Sequence, residues 1–220
     1  MKTYLRQLGL FDPSLYNKSI TIIGSGGIGS ATILGLAKMG INNIKVVDFD
    51  IVDNENYANQ FFPERPPTLG MPKVEVMKQF IKYFCNVNLD TYCEKYDPLK
   101  HGSSIIVSCV DNMKTRQEVF ATLNKTPCEY YIDGRMQGNF FQIYSIDPLN
   151  KKDLFYYSGH LPNDEDVPDA KCTEKAIIYN VMIVGGIICN YIRMYLTERK
   201  PPIYYSIQLT QMNTSCERSE

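Results

Sequence analysis

Several residues that would indicate a function quickly are scarce in this 220-residue sequence. It contains two histidines, His101 and His160, and seven cysteines with no Cys-x-x-Cys pair among them. Neither a histidine-rich metal site nor a structural zinc is therefore expected. An odd number of cysteines is typical of a reducing compartment and argues against a disulfide framework.

Charge of one sign and long apolar runs are also in short supply. The chain has 23 Lys+Arg against 24 Asp+Glu, so no basic excess predicts nucleic-acid binding. The N-terminal MKTYLRQLGL lacks the apolar core of a signal peptide, which predicts a cytoplasmic protein. The apolar run at 176–196 is interrupted by Asn180, Asn190 and Arg193. We therefore predict a buried or interface helix there, and no membrane span.

The sequence does contain a regular alternation of strand-like and helix-like segments. Strands are predicted at 20–24, 43–48, 104–110, 128–133, 139–146 and 203–209. Helices are predicted at 27–40, 72–85, 112–124 and 174–196. Proline-containing loops are predicted at 53–71 and 147–171. The alternation predicts an α/β, Rossmann-like fold, with a mostly parallel twisted sheet, helices on both faces and antiparallel strands in the C-terminal part.

A glycine-rich turn separates the first predicted strand from the first predicted helix. The sequence GSGGIG fits the G-x-G-x-x-G pattern with Gly24, Gly26, Gly27 and Gly29. Missing side chains let a phosphate approach the backbone, and the helix N-terminus supplies a positive dipole. Asp48 and Asp50 end the next predicted strand, where a carboxylate can bind ribose hydroxyls. The pattern predicts a nucleotide site without identifying the nucleotide.

Four further segments follow one another in a diagnostic order. They are YLRQ at 4–7, NENYANQFFPERPPTLGMPK at 54–73, SCVDN at 108–112 and GRMQG at 134–138. Together with the glycine turn they resemble the ThiF/MoeB family, which includes the catalytic half of ubiquitin-activating enzymes. The resemblance runs to about residue 196. It implies adenylation, with ATP and Mg²⁺, of the C-terminal carboxylate of a small ubiquitin-like or sulfur-carrier protein ending in Gly-Gly.

The resemblance also implies roles for individual residues. The family's nucleotide-site positions fall on Asp48, Asn56, Gln60, Lys73, Asp111, Asn112 and Arg116. Lys73 would contact the phosphates and Asp111 would hold Mg²⁺, because a lysine is a mobile point charge and a carboxylate is a hard oxygen ligand. Plainer structural roles remain open: a solvated lysine at a helix start for Lys73, a helix cap for Asp111 and a salt bridge for Arg116.

Partners follow from the same resemblance. Arg6 matches an arginine that family members extend across a dimer to the neighbouring ATP, although a surface charge is the plain alternative. We therefore predict a homodimer, with a heterodimer of close relatives as the alternative. No carrier or conjugating domain is visible in the chain, so the carrier protein, and any downstream conjugating enzyme, are separate partners. We expect one adenylation domain over 1–220, with a nucleotide-binding half at about 1–135 and a carrier-binding and dimer-forming half at about 136–220.

Two departures from the family pattern stand out. The family arginine that contacts phosphate should fall at position 59, where this chain has Asn59. Arg65 is the nearest candidate to replace it. The family's two Cys-x-x-Cys zinc pairs are also missing, in agreement with the absence of zinc expected above.

Cys172, in DAKCTEKA at 169–176, matches the family cysteine that lies ahead of the last core helix and carries a thioester or persulfide. A cysteine near a helix N-terminus with Lys171 and Lys175 beside it should have a lowered pKa. The alternative is a loop thiol without a role.

Three other functions remain open. A non-catalytic family member would explain Asn59. An NAD(P)-dependent oxidoreductase would explain the glycines and Asp48 but not Lys73, Asp111 or Cys172. Relatives that adenylate a short peptide or a tRNA base form the last group.

Overall fold

The computed structural model describes residues 4–64, 68–163 and 176–218. The strands are β1 (Ile20–Ile23), β2 (Ile44–Val47), β3 (Asp90–Tyr92), β4 (Ile105–Ser108), β5 (Tyr130–Gln137), β6 (Phe140–Ile146), β7 (Tyr204–Gln208) and β8 (Asn213–Glu217). The α-helices are α1 (Gly27–Met39), α2 (Lys73–Cys85), α3 (Pro98–His101), α4 (Met113–Phe120), α5 (Lys151–Ser158) and α6 (Ile178–Leu196). Short 3₁₀ helices lie at Pro13–Leu15, Asn54–Asn56 and Leu123–Lys125.

The strands form one sheet in the order β3-β2-β1-β4-β5-β6-β7-β8. The first five strands in that order pair in parallel, and the pairs from β5 to β8 are antiparallel. Helices cover both faces. Ile105 and Val107 of β4 pack in a core with α1, α2 and α6, whereas Ile106 packs in a second core with α4 and α5. The predicted Rossmann-like fold with antiparallel C-terminal strands is confirmed.

Several elements differ from the sequence-based expectation. The segment 147–171 was expected to be a loop, but it contains α5. Asn150 caps this helix by accepting a hydrogen bond from the Lys152 backbone N–H at 3.0 Å. Two turns of helix between prolines are too short to show a clear apolar period, which explains why the prediction was wrong.

Other differences concern the ends of elements and the edges of the sheet. The edge strands β3 and β8 were not predicted. Strand β8 is exposed along its whole length and lacks the apolar alternation that indicates a strand. Among the described residues, α4 ends at Phe120 rather than at 124, and α6 begins at Ile178 rather than at 174. Strand β5 extends beyond 133 to Gln137. Asp133 and Arg135 of β5 pair with each other, and Asp133 also pairs with Arg116. Because these charges are neutralised, they do not end the strand.

Register brings the predicted site residues to one edge of the sheet. Ile23 of β1 is level with Val47 of β2 and with Ser108 of β4, and Ser108 is level with Asp133 of β5. The residues that follow these positions therefore lie side by side at the carboxyl ends of parallel strands, where α/β proteins bind ligands. No helix among the described residues is long and apolar enough to cross a membrane.

Candidate nucleotide-binding site

The glycine turn joins β1 to α1 where only glycine fits. Gly24 has a φ of 89°, and a Cβ on it would lie 2.8 Å from the backbone oxygen of Cys109. A Cβ at Gly29 would lie 1.9 Å from the Gly24 oxygen. Helix α1 begins at Gly27, with Gly26 as an N-cap that has no side chain. The first turn of α1 therefore keeps backbone N–H groups uncapped by a side chain and available to an anion.

A cavity of about 1030 Å³ opens over the turn and continues along the carboxyl edge from β2 to β6. Its walls include most of the residues predicted to bind nucleotide: Gly24, Gly26, Gly27, Asp48, Asp50, Asn56, Gln60, Lys73, Asp111, Asn112 and Arg116. The volume is at the large end of the range for small-molecule sites. Gly29 is not part of the wall, because it packs beneath the turn.

Asp48 connects the end of β2 to the glycine turn. Its Oδ2 atom accepts hydrogen bonds from the Ser25 backbone N–H at 2.6 Å and from the Ser25 hydroxyl at 2.9 Å. Its Oδ1 atom accepts from the backbone N–H of Asp50 at 2.9 Å. Oδ1 accepts only this one of these bonds, so it retains acceptor capacity. The predicted contact with ribose is therefore compatible with the position of Asp48.

Lys73 is the first residue of α2 and is buried. Its Nζ atom lies 2.8 Å from Oδ2 of Asp50, and its backbone N–H donates to the Asp50 carbonyl at 2.9 Å. The plain alternative of a solvated lysine at a helix start is therefore wrong. The Asp50 side chain is half exposed, so it can give up this partner to solvent at small cost. Lys73 is thus a buried cation in the cavity wall, and its ammonium group pairs with the Asp50 carboxylate.

Asp111 and Asn112 follow β4 and divide two jobs between them. Asn112 is the N-cap of α4 and accepts a hydrogen bond from the Thr115 backbone N–H at 2.8 Å. The alternative role of Asp111 as the cap of this helix is therefore wrong. The exposed Asp111 carboxylate instead accepts a hydrogen bond from the Asn112 amide at 3.0 Å.

The donor set around Asp111 fits Mg²⁺ better than a metal caged by protein. Among the described residues, no group of three or more His, Cys, Asp or Glu side chains is arranged to hold a metal ion. Magnesium usually keeps several waters and binds through one or two carboxylates together with phosphate oxygens. A single accessible carboxylate beside a phosphate-binding turn matches that preference.

Polar residues of the segment after β2 pack against the turn. Asn56 accepts a hydrogen bond from the Asp53 backbone N–H at 2.9 Å and so has a local structural role. The Oδ1 atom of Asn59 and the Oε1 atom of Gln60 are buried and have no hydrogen-bond partner among the described residues. A Cβ at Gly27 would lie 3.3 Å from the Asn59 backbone oxygen. Buried polar atoms are rarely left without partners, so these amides fit a polar ligand on the turn.

Arg116 reaches from α4 to the ends of β4 and β5. Its Nε atom lies 2.9 Å from Oδ1 of Asp133, and Nη2 donates to the backbone oxygens of Val110 and Gly134. The salt bridge weighed for Arg116 is therefore present. Arg116 also lines the cavity, and its contact with a nucleotide stays a prediction.

Arg135 is a cavity residue that the sequence analysis did not single out. Its Nε atom lies 2.6 Å from Oδ2 of Asp133, Nη1 donates to the His160 carbonyl at 2.8 Å, and the guanidinium lies 4.4 Å from the Tyr144 ring centroid. Burial raises the pKa of the Asp133 carboxyl, but the charges of Arg116 and Arg135 outweigh burial and hold that pKa below its ordinary value. The signal that could have revealed this group is the spacing of Asp133 and Arg135, which puts two charges on one face of a strand that is otherwise mostly buried.

Four further residues, one arginine and three cysteines, are candidates for a role in the reaction. Arg6 is exposed and is not part of the cavity wall. Cys172 lies outside the described residues. Cys109 borders the glycine turn and lines the cavity, and burial raises the pKa of its thiol strongly, which disfavours the nucleophilic thiolate. Cys216 is exposed on β8, at the far edge of the sheet.

A glycine turn at the N-terminus of the first helix, at the carboxyl edge of a mostly parallel sheet, defines the Rossmann-like class of α/β proteins. The sequence narrows the class further. The chain belongs to the ThiF family, whose model matches residues 7–219.

Curated relatives match parts of the chain. A tRNA threonylcarbamoyladenosine dehydratase of Haemophilus influenzae is 32% identical over 109 residues, which are 46% of this chain and 41% of that protein. A ubiquitin-like modifier-activating enzyme 5 of Bombyx mori is 24% identical over 152 residues, 59% of this chain and 37% of that protein. The adenylyltransferase and sulfurtransferase UBA4 of Candida glabrata is 32% identical over 121 residues, 51% of this chain and 28% of that protein. The matches thus span less than half of each relative.

Solved structures share the fold at low sequence identity. PaaA has a TM-score of 0.74 at 20% identity, covering 99% of this chain and 72% of that chain. E. coli MccB, in a crystal structure with ATP, has a TM-score of 0.69 at 15% identity, covering 93% of this chain and 66% of that chain. Likeness at these identities establishes the fold.

Proposed function

We propose that this chain is an ATP-dependent adenylyltransferase that activates the C-terminal carboxylate of a small ubiquitin-like or sulfur-carrier protein. The observation that carries the proposal is the placement of Lys73 and Asp111 in one cavity with the glycine turn. A phosphate-binding turn, a buried cation and an accessible carboxylate are what a triphosphate with its metal requires. The activating enzymes and the adenylyltransferase among the relatives give this chemistry its precedent.

The reaction exchanges one bond to phosphorus for another. An oxygen of the carrier's terminal carboxylate attacks the α-phosphorus of ATP, and the bond from that phosphorus to the bridging oxygen of the β-phosphate breaks. Pyrophosphate leaves with the electron pair, and an acyl-adenylate remains. The N–H groups at the start of α1 would bind phosphate oxygens, and Lys73 would offset the charge that develops on the leaving pyrophosphate. When bound at Asp111, Mg²⁺ would neutralise phosphate charge.

Asp48, Asn56 and Gln60 would select the nucleoside. The remaining acceptor capacity of Asp48 suits ribose hydroxyls, and the unpartnered Gln60 oxygen suits a donor on the ligand. An NAD(P)-dependent oxidoreductase would use the glycine turn and Asp48 in the same way. It would leave the buried Lys73 and the accessible Asp111 without a role, so we favour ATP.

Asn59 supports a second candidate, a non-catalytic ThiF-family subunit. At this position the family resemblance implies an arginine that contacts phosphate, and an asparagine supplies no charge there. The buried Lys73 keeps one cation in the cavity wall, which favours the catalytic function. Arg65 lies outside the described residues.

Further parts of the proposal concern assembly and the second chemical step. Once the adenylate has formed, the Cys172 thiolate would attack its acyl carbon, the bond from that carbon to the phosphate oxygen would break, and AMP would leave as the thioester forms. A homodimer would let Arg6 reach the neighbouring nucleotide, and the exposed apolar residues Tyr179 and Met182 on α6 suit such an interface. Within one domain over 1–220, the nucleotide half would be about 1–135 and the carrier and dimer half about 136–220. A cytoplasmic location and a separate conjugating enzyme complete the proposal.

Calorimetry tests the nucleotide and isotope exchange tests the reaction. We expect ATP with Mg²⁺ to bind more tightly than NAD⁺, and we expect pyrophosphate–ATP exchange that depends on a carrier protein ending in Gly-Gly. Tight binding of NAD⁺ with no binding of ATP would favour the oxidoreductase. Binding of ATP without exchange, across candidate carriers and with the partner subunit present, would favour the non-catalytic subunit.

A further inference from the structure

The buried cluster formed by Arg116, Asp133 and Arg135 carries more positive than negative charge. Two guanidinium groups face one carboxylate, and both of its oxygens accept hydrogen bonds from them. Oδ2 of Asp133 also accepts from the Tyr157 hydroxyl at 2.9 Å. All three charged residues are more than nine-tenths buried. An excess buried charge is costly unless a partner neutralises it.

Arg135 has a hydrogen-bond donor that the cluster leaves without a partner among the described residues. Its Nη2 atom is buried and has no hydrogen-bond partner among the described residues, while Nε and Nη1 are both bonded. Arg135 lines the cavity that contains the glycine turn. The Tyr144 ring holds the guanidinium plane from one side, so the side chain is fixed before any ligand arrives.

The position of Arg135 separates it from the phosphate-binding turn. Gly24 and Gly134 follow residues that are level across β1, β4 and β5. Two strand spacings put them about 10 Å apart. Arg135 follows Gly134, and its guanidinium lies near the rings of Tyr144 and Tyr157, which pack in the core with α4 and α5 on the face opposite α1. Strand β4 lies between β1 and β5, so an anion at Arg135 is one strand away from the phosphate-binding turn, where the acceptor rather than the triphosphate would bind.

We propose that Arg135, fixed by Asp133, binds the terminal carboxylate of the protein or peptide that this site adenylates. Guanidinium recognises carboxylate through two parallel N–H donors, and one of these donors is already free in Arg135. The proposal rests on the adenylyltransferase function and adds the residue that selects a free C-terminus. Arg116 contributes by fixing Asp133 and the ends of β4 and β5.

A pair of small probes tests this on the unaltered chain. N-acetylglycylglycine has a free carboxylate, and its C-terminal amide has the same shape without the charge. With a non-hydrolysable ATP analogue present, we expect NMR signals of the arginine Nε–H groups to shift saturably with the acid. The amide should bind about tenfold to a hundredfold more weakly, the range for one charged hydrogen bond.

Variants then assign the effect to one side chain. Arg135→Met should weaken binding of the acid by the same factor, and Arg135→Lys should restore part of it. Lys95→Met is the matched control, because Lys95 is an exposed lysine that also lines the cavity; it should leave the affinity within about twofold. The affinity for the ATP analogue should stay unchanged in all three. If Arg135→Met does not fold, the Arg135 Nε–H signal of the wild type, identified by its loss in Arg135→Lys, decides: it should shift with the acid and not with the amide.

The outcomes separate the two proposals. Failure of the ATP analogue to bind the wild type would overturn the adenylyltransferase function and this inference together. Binding of the analogue with equal affinity for acid and amide would overturn only the role of Arg135. Full retention of acid binding in a folded Arg135→Met variant would do the same.

Discussion

Two ion-paired groups at the carboxyl edge of the sheet differ in how firmly their charges are held. In the first, Lys73 pairs with Asp50, and the aspartate side chain is 51% exposed. In the second, Asp133 is fully buried and pairs with both Arg116 and Arg135. In the first group the carboxylate is half exposed and Lys73, although buried, lines the cavity, so water or a ligand can replace one partner at small cost. In the second group all the members are buried, and loss of the carboxylate would leave uncompensated charge. The first group is thus suited to binding and release, and the second to holding the site in shape.

Removal of Asp133 should have the largest effect on stability. Asp133→Asn would leave two buried guanidiniums without a counter-charge, and we expect a loss of about 3–5 kcal/mol in the free energy of unfolding. Urea denaturation followed by circular dichroism measures it. Asp50→Asn is the matched control, with an expected loss below about 1 kcal/mol. Equal losses in the two variants would contradict the distinction between the groups.

The stability that Asp133 contributes should depend on pH. The pKa of Asp133 is lowered in the folded protein, because the two arginines outweigh the effect of burial. Its contribution is therefore present above the unfolded-state pKa of about 3.9 and is lost as the pH falls through the lower folded-state value. The stability difference between wild type and Asp133→Asn should shrink below about pH 4. A difference that stays constant there would mean that the charge of Asp133 is not responsible.

Lys73→Met should lower activity strongly with little effect on stability. Loss of a cation placed at the leaving pyrophosphate is expected to lower pyrophosphate–ATP exchange by about a hundredfold to a thousandfold. Lys95→Met removes an exposed lysine from the same cavity and should change exchange by less than about threefold. Similar losses in both variants would mean that general positive charge, rather than the position of Lys73, supports the reaction.

Whether a feature of the site could be predicted depends on how far apart in the sequence its residues lie. The glycine turn and Asp48 were visible because local spacing specifies them. The pairing of Lys73 with Asp50 joins residues 23 positions apart, and only the return of α2 to the end of β2 creates it. Arg135 was missed because its role depends on a cluster with Arg116, which comes from helix α4, whereas Arg135 lies on strand β5. Sequence motifs identified residues that the structure brings together in the cavity wall, whereas the buried ion pairs emerged only from tertiary packing.

Asp50→Asn should change nucleotide affinity by a smaller factor, and it tests the role of the ion pair between Lys73 and Asp50. If Asp50 competes with phosphates for Lys73, the variant should bind ATP about twofold to fivefold more tightly and AMP with unchanged affinity. If Asp50 instead binds ribose, as the sequence predicted, both nucleotides should bind more weakly. Calorimetry with ATP and AMP separates these outcomes. We expect the first, since Asp50 already pairs with Lys73 at 2.8 Å.

The smallest expected effect on exchange belongs to Cys172→Ala. Adenylation needs nucleotide, Mg²⁺ and the carrier terminus, so pyrophosphate exchange should remain within about twofold of wild type. The variant should nevertheless lose any covalent adduct with the carrier that a thiol reductant releases. Asp111→Ala should abolish both exchange and adduct, because adenylation precedes any transfer to sulfur.

Gel electrophoresis without reductant shows the adduct directly. The buried thiol of Cys109 is a poor substitute nucleophile, since burial raises its pKa. An adduct that persists in Cys172→Ala would move the acceptor to another thiol, with the exposed Cys216 as the next candidate. Loss of exchange in that variant would instead assign Cys172 to the structure of the adenylation site. Only retained exchange with a missing adduct separates the two chemical steps as the proposal requires.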